Sequence, residues 1–136
     1  MKKFGYVSVE HYVPFMQEFA EELEKGNIIA TKCKTCGTEY FPPREECGNC
    51  YSTDMEKIKI EPEGTLVTYT IIHVPPESHA NMAPYIVAVG EFNNGLRTMA
   101  HLVGVTSMDD LKVGRKIKIV VQKLENDRIV YKFVPA

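Results

Sequence analysis

Residues 33–50 of the chain read CKTCGTEYFPPREECGNC and contain all four of its cysteines, in the pattern CxxC-x10-CxxC. Two residues between cysteines let both sulfurs of one tight turn point at the same ion, and Gly37 and Gly48 stand where such turns favour a backbone without Cβ. Two facing turns supply four thiolates, the tetrahedral ligand set that suits zinc. The sequence therefore predicts one zinc ion per chain, bound by Cys33, Cys36, Cys47 and Cys50.

The predicted zinc has a structural role. Four protein ligands leave no open position for water or substrate. A segment of about 25 residues buries too little apolar surface to fold alone, and metal binding supplies the missing free energy. Paired cysteines that bind metal are typical of a reducing compartment. Because the basic N-terminus has no apolar segment behind it, we expect no signal peptide and a cytoplasmic protein.

Upstream of the cysteines, the sequence predicts an amphipathic helix between Pro14 and Gly26. Proline is favoured at the first helical position and glycine just after the last. Phe15, Phe19 and Leu23 recur every four residues, while glutamates occupy the other side. The apolar side of this helix either packs on the rest of the protein or docks a partner.

Downstream, runs rich in Val, Ile, Thr and Tyr predict five β-strands at residues 66–74, 85–92, 96–103, 116–124 and 129–134, with an extended piece at 57–61 leading in. Asn94-Gly95 and Asn126-Asp127 predict tight turns, and residues 107–111 predict one capped helical turn. Five strands with this insertion are typical of an OB-fold barrel. We expect a mainly β chain: an N-terminal helical segment at 1–26, a rubredoxin-like zinc ribbon at 27–54 and a five-stranded OB-fold at 55–136.

The charge balance argues against nucleic-acid and membrane functions. Residues 1–50 carry six basic and eight acidic side chains, and residues 51–136 carry ten of each. Neither half has the basic excess that a phosphate backbone usually requires. The longest uncharged stretches, 65–76 and 78–90, are shorter than the roughly 20 residues of a membrane span. Zinc ribbons and OB-folds nevertheless occur in nucleic-acid-binding proteins, and such a module is the alternative function.

The sequence contains no recognisable catalytic motif. P-loop, GxGxxG, GxSxG and HExxH patterns are absent, and the four histidines are scattered. Ser78 and His79 are adjacent, but the sequence indicates no third member of a triad. His79 lies in a predicted loop, where it is a candidate for contact with a ligand. We expect no catalytic residue, and an acyl-CoA hydrolase ranks third among the functions considered.

Five segments carry a resemblance to a known family: the cysteine stretch with Phe41-Pro42-Pro43-Arg44 between its turns, GTLVTYTIIH at 64–73, APYIVAVGEF at 83–92, LKVGRKIKI at 111–119 and the closing YKFVPA. Together they resemble the acyl-CoA-associated zinc-ribbon plus OB-fold proteins, long catalogued as a domain of unknown function. The similarity covers nearly the whole chain. The chain departs from the family pattern at one place. Family members often have a longer acidic segment after the second strand, where this chain has only residues 91–94.

The resemblance implies a non-catalytic companion of thiolase-type enzymes such as acetyl-CoA acyltransferase. Family members are thought to bind acyl-CoA, or to bridge a thiolase and hydroxymethylglutaryl-CoA synthase. A pantetheine arm needs an apolar channel with a few polar anchors. The loop at 74–84, in which Glu77 is the one charged side chain when histidine is counted as neutral, is one candidate wall and the ribbon the other, with Arg44 meeting phosphate. The candidate ligand-binding residues are Phe41, Pro42, Arg44, His79, Met82 and Tyr85. Alternatively, residues 41–43 are a rigid connector and Arg44 is a solvated charge.

Overall fold

The computed structural model describes residues 3–6, 14–93, 95–125 and 127–136. In these residues one α-helix, a small three-stranded sheet and a closed barrel follow one another along the chain. The elements in order are β1 (Lys3–Phe4), α1 (Pro14–Glu24), β2 (Ile29–Cys33), β3 (Glu39–Tyr40), β4 (Met55–Lys59), β5 (Glu63–Ile72), β6 (Tyr85–Phe92), β7 (Leu96–Leu102), β8 (Lys116–Lys123) and β9 (Arg128–Pro135).

Helix α1 has the predicted ends. It begins at Pro14, and Gly26 follows its last turn with a positive φ of 87°. The Gly26 N–H donates to the Leu23 carbonyl at 2.9 Å and the Asn27 N–H donates to the Glu22 carbonyl at 2.9 Å, which closes the helix. Phe19 and Leu23 are buried, so the apolar side packs on the protein itself. Within the described residues, no helix combines the length and the hydropathy that crossing a bilayer requires.

The ribbon sheet places β2 between β3 and β4, with antiparallel pairing on both sides. Cys33 ends β2 and pairs with Met55, the first residue of β4. The extended piece expected to lead into the barrel therefore pairs with the ribbon strand β2, and its Ile58 packs against the hydrophobic core. The predicted boundary between residues 54 and 55 falls in front of this strand, and it stays a prediction.

The barrel is a closed five-stranded OB-fold, as predicted. Strands β5, β6 and β7 form an antiparallel meander. β9 pairs in parallel with β7 at Leu102 and Phe133, and antiparallel with β8, which returns to β5. The first strand begins at Glu63 rather than at residue 66. The predicted helical turn is a 3-10 turn at Met108–Leu111. Asn94 and Asn126, the asparagines of the two predicted tight turns, lie outside the described residues.

Four aromatic rings join the ribbon, the helix and the barrel. Phe41 of the ribbon lies 6.0 Å from Phe19 of α1 and 4.9 Å from Tyr131 of β9, between ring centroids. Phe4 of β1 lies 5.3 Å from Phe19 and 6.0 Å from Tyr131. We call Phe4, Phe19, Phe41 and Tyr131 the aromatic junction. Because this cluster is continuous with the barrel core, the ribbon is packed onto the barrel rather than tethered to it.

Candidate metal centre and ligand cavity

The structure brings the four cysteine sulfurs together. Cys33 Sγ lies 3.6 Å from Cys50 Sγ, and Cys36 Sγ lies 3.5 Å from Cys47 Sγ. All four sulfurs lie within 4.8 Å of one another. A zinc–thiolate bond of about 2.3 Å gives sulfur–sulfur separations of roughly 3.8 Å in a regular tetrahedron. The donor set and its spacing therefore fit a four-coordinate zinc ion.

Two similar turns position these sulfurs. In the first, the Gly37 N–H donates to the Cys33 carbonyl at 2.8 Å, with Gly37 at a φ of 79°. In the second, the Tyr51 N–H donates to the Cys47 carbonyl at 3.0 Å. Cys33 and Cys47 are buried, whereas Cys36 and Cys50 are exposed to solvent. The site thus has one face against the protein and one face toward water.

Hydroxyl groups next to two of the sulfurs favour the thiolate form that binds metal. The Thr38 hydroxyl lies 3.2 Å from Cys36 Sγ, and hydrogen bonds from Thr38 lower the pKa of the Cys36 thiol to about 5. The Tyr40 hydroxyl lies 3.3 Å from Cys47 Sγ and lowers the pKa of that thiol. These hydroxyls were not singled out from the sequence, although their place beside the cysteines is a detectable signal.

Arg44 lies on the ribbon, and the described residues that line its groove include none from the loop expected to share its ligand. Its guanidinium carbon is 4.9 Å from the centroid of the Tyr40 ring. The side chain is exposed and lines an open groove of about 440 Å³ between the ribbon and α1, together with Glu45, Glu46 and Lys57. The two glutamates offset the positive charge that a phosphate group would require.

A second cavity of about 310 Å³ opens on the outer face of β6 and β7. Its ring-bearing residues stack on one another: the His101 ring lies 4.5 Å from the Tyr6 ring and 4.8 Å from the Tyr85 ring. The His79 ring lies 5.5 Å from that of His101. Met99, 62% exposed, is also among the lining residues. We call this the barrel cavity. The outer face of these strands is where OB-folds usually bind ligands.

The candidate ligand residues separate into two groups. His79 and Tyr85 line the barrel cavity, and Met82 lines an adjoining groove of about 420 Å³ that shares Tyr85 and His101 with it. Arg44 lines the other groove, and Phe41 is only 8% exposed, within the aromatic junction. Pro42 is exposed. The described residues that line the barrel cavity include none from the ribbon.

Sequence reasoning missed the central residue of the barrel cavity. The sequence did not identify His101, Tyr6 or Met99 as candidate ligand residues. The signal was present, because Met99 and His101 alternate along β7 with the buried Thr98, Ala100 and Leu102 and must point outward. What could not be read from the sequence is that Tyr6, far away in the chain, covers this face.

The described part of the cavity offers binding groups rather than a catalytic set. Ser78 Oγ lies 2.8 Å from His79 Nδ1, but Ser78 is exposed, His79 is only half-buried, and no carboxylate among the described residues hydrogen-bonds this histidine. A nucleophile–base pair needs such an orienting group. Burial, with a smaller effect of the neighbouring His79, lowers the pKa of His101, so this ring is neutral near pH 7. Neutral rings that donate and accept hydrogen bonds suit an uncharged, partly apolar ligand.

Comparison with known proteins agrees with this architecture. The family model described as "ChsH2, rubredoxin-like zinc ribbon domain" matches residues 20–56, and that described as "ChsH2, C-terminal OB-fold domain" matches residues 58–122. A "DUF35 domain-containing scaffold protein" of Methanocaldococcus jannaschii is 34% identical over 105 residues, which cover 76% of this chain and 74% of that protein. The "Benzoylsuccinyl-CoA thiolase subunit BbsA" of Geobacter metallireducens is 28% identical over 75% of this chain and 70% of its own length.

A solved structure titled "Ltp2-ChsH2(DUF35) aldolase" has the same fold. It superposes with a TM-score of 0.74 at 24% identity, covering 93% of this chain and 98% of the other. The fold and the relatives confirm the family resemblance that the ribbon motif and the strand segments carry. The chain belongs to the DUF35 family of zinc-ribbon and OB-fold proteins.

Proposed function

We propose that this protein is a non-catalytic scaffold subunit that binds a thiolase-type enzyme and contributes part of an acyl-CoA-binding site. The observation that carries the proposal is an open, largely apolar cavity on the barrel with no complete nucleophile–base set among its described residues. Two relatives support it, since one is named a scaffold protein and another a subunit of a CoA-dependent thiolase. From the family resemblance alone, hydroxymethylglutaryl-CoA synthase is the second partner we propose.

The acyl-pantetheine portion of the ligand would lie against the barrel. The barrel cavity and the adjoining groove measure about 310 and 420 Å³, in the size range of small-ligand sites. Tyr85 and His101 form the wall between them, His79 offers a polar anchor, and Met82 adds apolar surface. Of the ribbon residues, we propose Arg44 as an electrostatic contributor only. The buried Phe41 is a connector, and Pro42 follows it.

Calorimetric titration of the chain with acetyl-CoA, alone and in complex with its thiolase, tests the ligand site. Tyr85→Ala should weaken binding by about tenfold, roughly 1.4 kcal/mol, because it removes the wall shared by both spaces. Tyr51→Ala is the matched control, since Tyr51 is an 84% exposed tyrosine on the ribbon. Equal affinities for the wild type and Tyr85→Ala in both settings would remove the barrel cavity from the proposal.

Co-purification from the native organism tests the partner. A thiolase subunit should co-elute with the tagged chain, and the purified chain alone should not turn over acyl-CoA substrates. Turnover that co-purifies with the isolated chain and is lost in Ser78→Ala would show that it is an enzyme. Tight, salt-sensitive binding of single-stranded DNA or RNA, with ribosomal or polymerase subunits in the eluate, would favour the alternative function.

A further inference from the structure

Two hydrogen bonds hold the Tyr40 hydroxyl at the metal centre, one that it accepts and one that it donates. The Gly48 N–H donates to the Tyr40 hydroxyl oxygen at 2.9 Å, and that oxygen lies 3.3 Å from Cys47 Sγ. An amide N–H is a donor only, and a metal-bound thiolate is an acceptor only. The phenolic proton therefore points at the sulfur. Cys47 also accepts from the N–H groups of Asn49 at 3.4 Å and Cys50 at 3.5 Å.

Arg44 lies behind this hydroxyl, on the face of the same ring. Its guanidinium carbon is 4.9 Å from the ring centroid, within the range of a cation–π contact. Gly48 leaves room for the Arg44 guanidinium, because a Cβ at position 48 would lie 3.0 Å from Arg44 Nη1. Thr31, 2% exposed, holds both partners: it pairs with Tyr40 across β2 and β3, and its hydroxyl accepts the Arg44 N–H at 2.9 Å.

We propose that Arg44 and Tyr40 form a positioning relay for the zinc site, in which Arg44 over the ring strengthens the hydrogen bond from the Tyr40 hydroxyl to the Cys47 thiolate and slows loss of the metal. Four thiolates place more negative charge around zinc than the ion itself neutralises. A donor to one sulfur withdraws part of that charge and makes the sulfur a poorer target for protons and oxidants. A cation on the ring face makes the phenol a stronger donor.

The relay acts on the metal ligand Cys47 and involves no residue of the proposed acyl-CoA site on the barrel. It is therefore independent of whether the barrel binds acyl-CoA. It also gives Arg44 a role that needs no phosphate, in place of the solvated charge that the sequence offered as an alternative. The hydrogen bond is on the buried side of the site, where surrounding protein weakens such an interaction less than water does.

Zinc release from the loaded protein tests the relay. The chain is mixed with excess 4-(2-pyridylazo)resorcinol, and the coloured zinc complex is followed with time. Tyr40→Phe removes only the hydroxyl and should speed release by about tenfold or more, because losing an outer-sphere partner usually lowers metal affinity by about 10–100-fold. Tyr51→Phe removes an exposed hydroxyl from the same ribbon and should release zinc at the wild-type rate. Equal rates for Tyr40→Phe and Tyr51→Phe would overturn the proposal.

Cobalt substitution separates a hydrogen bond to sulfur from a merely structural role. In Co²⁺-loaded protein, Tyr40→Phe should shift the thiolate-to-cobalt charge-transfer band, because the electron density on one ligand changes. Faster release with an unchanged band would mean that Tyr40 only holds the fold, and would overturn the relay.

A double-mutant comparison tests the part played by Arg44. Arg44→Gln should speed release in the wild type but have little further effect in Tyr40→Phe, because it acts through that hydroxyl. Arg44→Lys, which keeps the charge, should restore part of the wild-type rate. Fully additive effects of Arg44→Gln and Tyr40→Phe would remove Arg44 from the relay.

Discussion

Gly64 shows how tightly single residues are constrained inside the barrel. A Cβ at this position would lie 2.5 Å from the Phe92 ring and 2.6 Å from the Glu91 carbonyl oxygen. The ring has no room to move, because Phe92 is 2% exposed, and the carbonyl belongs to the paired strand. No side chain larger than hydrogen fits without moving the backbone.

Gly64→Ala should therefore destabilise the protein by about 1–3 kcal/mol, the usual cost of overpacking a core. The measurement is the free energy of unfolding in urea. Gly90→Ala is the comparison, because its nearest atoms, Ile117 Cδ1 and Phe92 Cε2 at 2.8 Å, are farther away than those at Gly64 and none of its three nearest atoms belongs to the backbone. We expect a smaller loss for Gly90→Ala. A Gly64→Ala protein as stable as the wild type would contradict the packing argument.

His101 should make the barrel face sensitive to acid. Burial holds the pKa of folded His101 below its ordinary value of 6.5. Above pH 6.5 the ring is neutral whether the chain is folded or unfolded, so its contribution to stability is complete. As pH falls below that value the unfolded state takes up the proton first, and stability is lost as pH drops through the lower folded pKa. The ring is faced by Tyr6, Tyr85 and a second titratable histidine, His79.

The melting temperature of the wild type should therefore fall more steeply between about pH 7 and pH 5.5 than that of His101→Phe, which keeps a ring but cannot take a proton. His73→Phe, on an exposed histidine, is the control and should keep the wild-type slope. Identical slopes for His101→Phe and the wild type would show that His101 does not titrate differently on folding.

At this scale, the sequence identified residues whose chemistry is local and missed those whose role is set by packing. The cysteines were identifiable because two short spacings already define a tetrahedral ligand set. The burial of Phe41 could not be predicted, because nothing in its sequence neighbourhood reveals that α1 and β9 close over it. His101 had the correct outward phase on β7, but its stacking on Tyr6 depends on a contact between distant parts of the chain.

Among the elements, we expect the ribbon to depend on a bound metal for folding and the barrel not to. The three ribbon strands contribute few residues to the buried core, whereas the barrel contains Leu66, Phe92, Ile117 and Phe133, all essentially inaccessible to solvent. Metal binding must therefore supply much of the folding free energy of the ribbon.

Cys36→Ser should lower the zinc content well below one per chain and unfold the ribbon, while much of the barrel persists. Elemental analysis checks the metal, and amide hydrogen exchange checks the two parts separately: residues 29–59 should lose protection and β5–β9 should keep most of theirs. Cooperative loss of protection over the entire chain would show that the barrel also requires the metal. A stoichiometric metal with the absorption of iron would correct the identity of the ion.

The barrel strands were predictable from runs of β-branched and aromatic residues separated by turn residues. The pairing of β4 with β2 could not be predicted, because five residues of extended chain carry no information about their pairing partner. β2 and β3 were not predicted as strands, since they are short and their hydrogen bonds are fixed by the cysteine turns rather than by hydrophobic pattern.

For the molecule as a whole, the aromatic junction decides whether ribbon and barrel behave as one body. Phe41 is the ribbon's contribution, and it contacts rings from both α1 and β9. Such a scaffold can present a fixed surface to a partner enzyme only if its parts do not move independently. Removing the Phe41 ring leaves a cavity between the ribbon, α1 and β9. All three would have to move to fill it.

Phe41→Ala should lower the free energy of unfolding by about 3–5 kcal/mol, the usual cost of removing a buried phenylalanine. It should also split thermal unfolding into a barrel transition and a zinc-dependent ribbon transition, while the folded protein still binds one zinc. Phe15→Ala, on the half-buried part of α1, is the matched control and should cost less and leave one transition. Calorimetric scans at several protein concentrations supply both readouts. If Phe41 instead formed a ligand wall, Phe41→Ala would weaken acyl-CoA binding per folded molecule and leave the single transition in place, and that pair of results would refute the connector role.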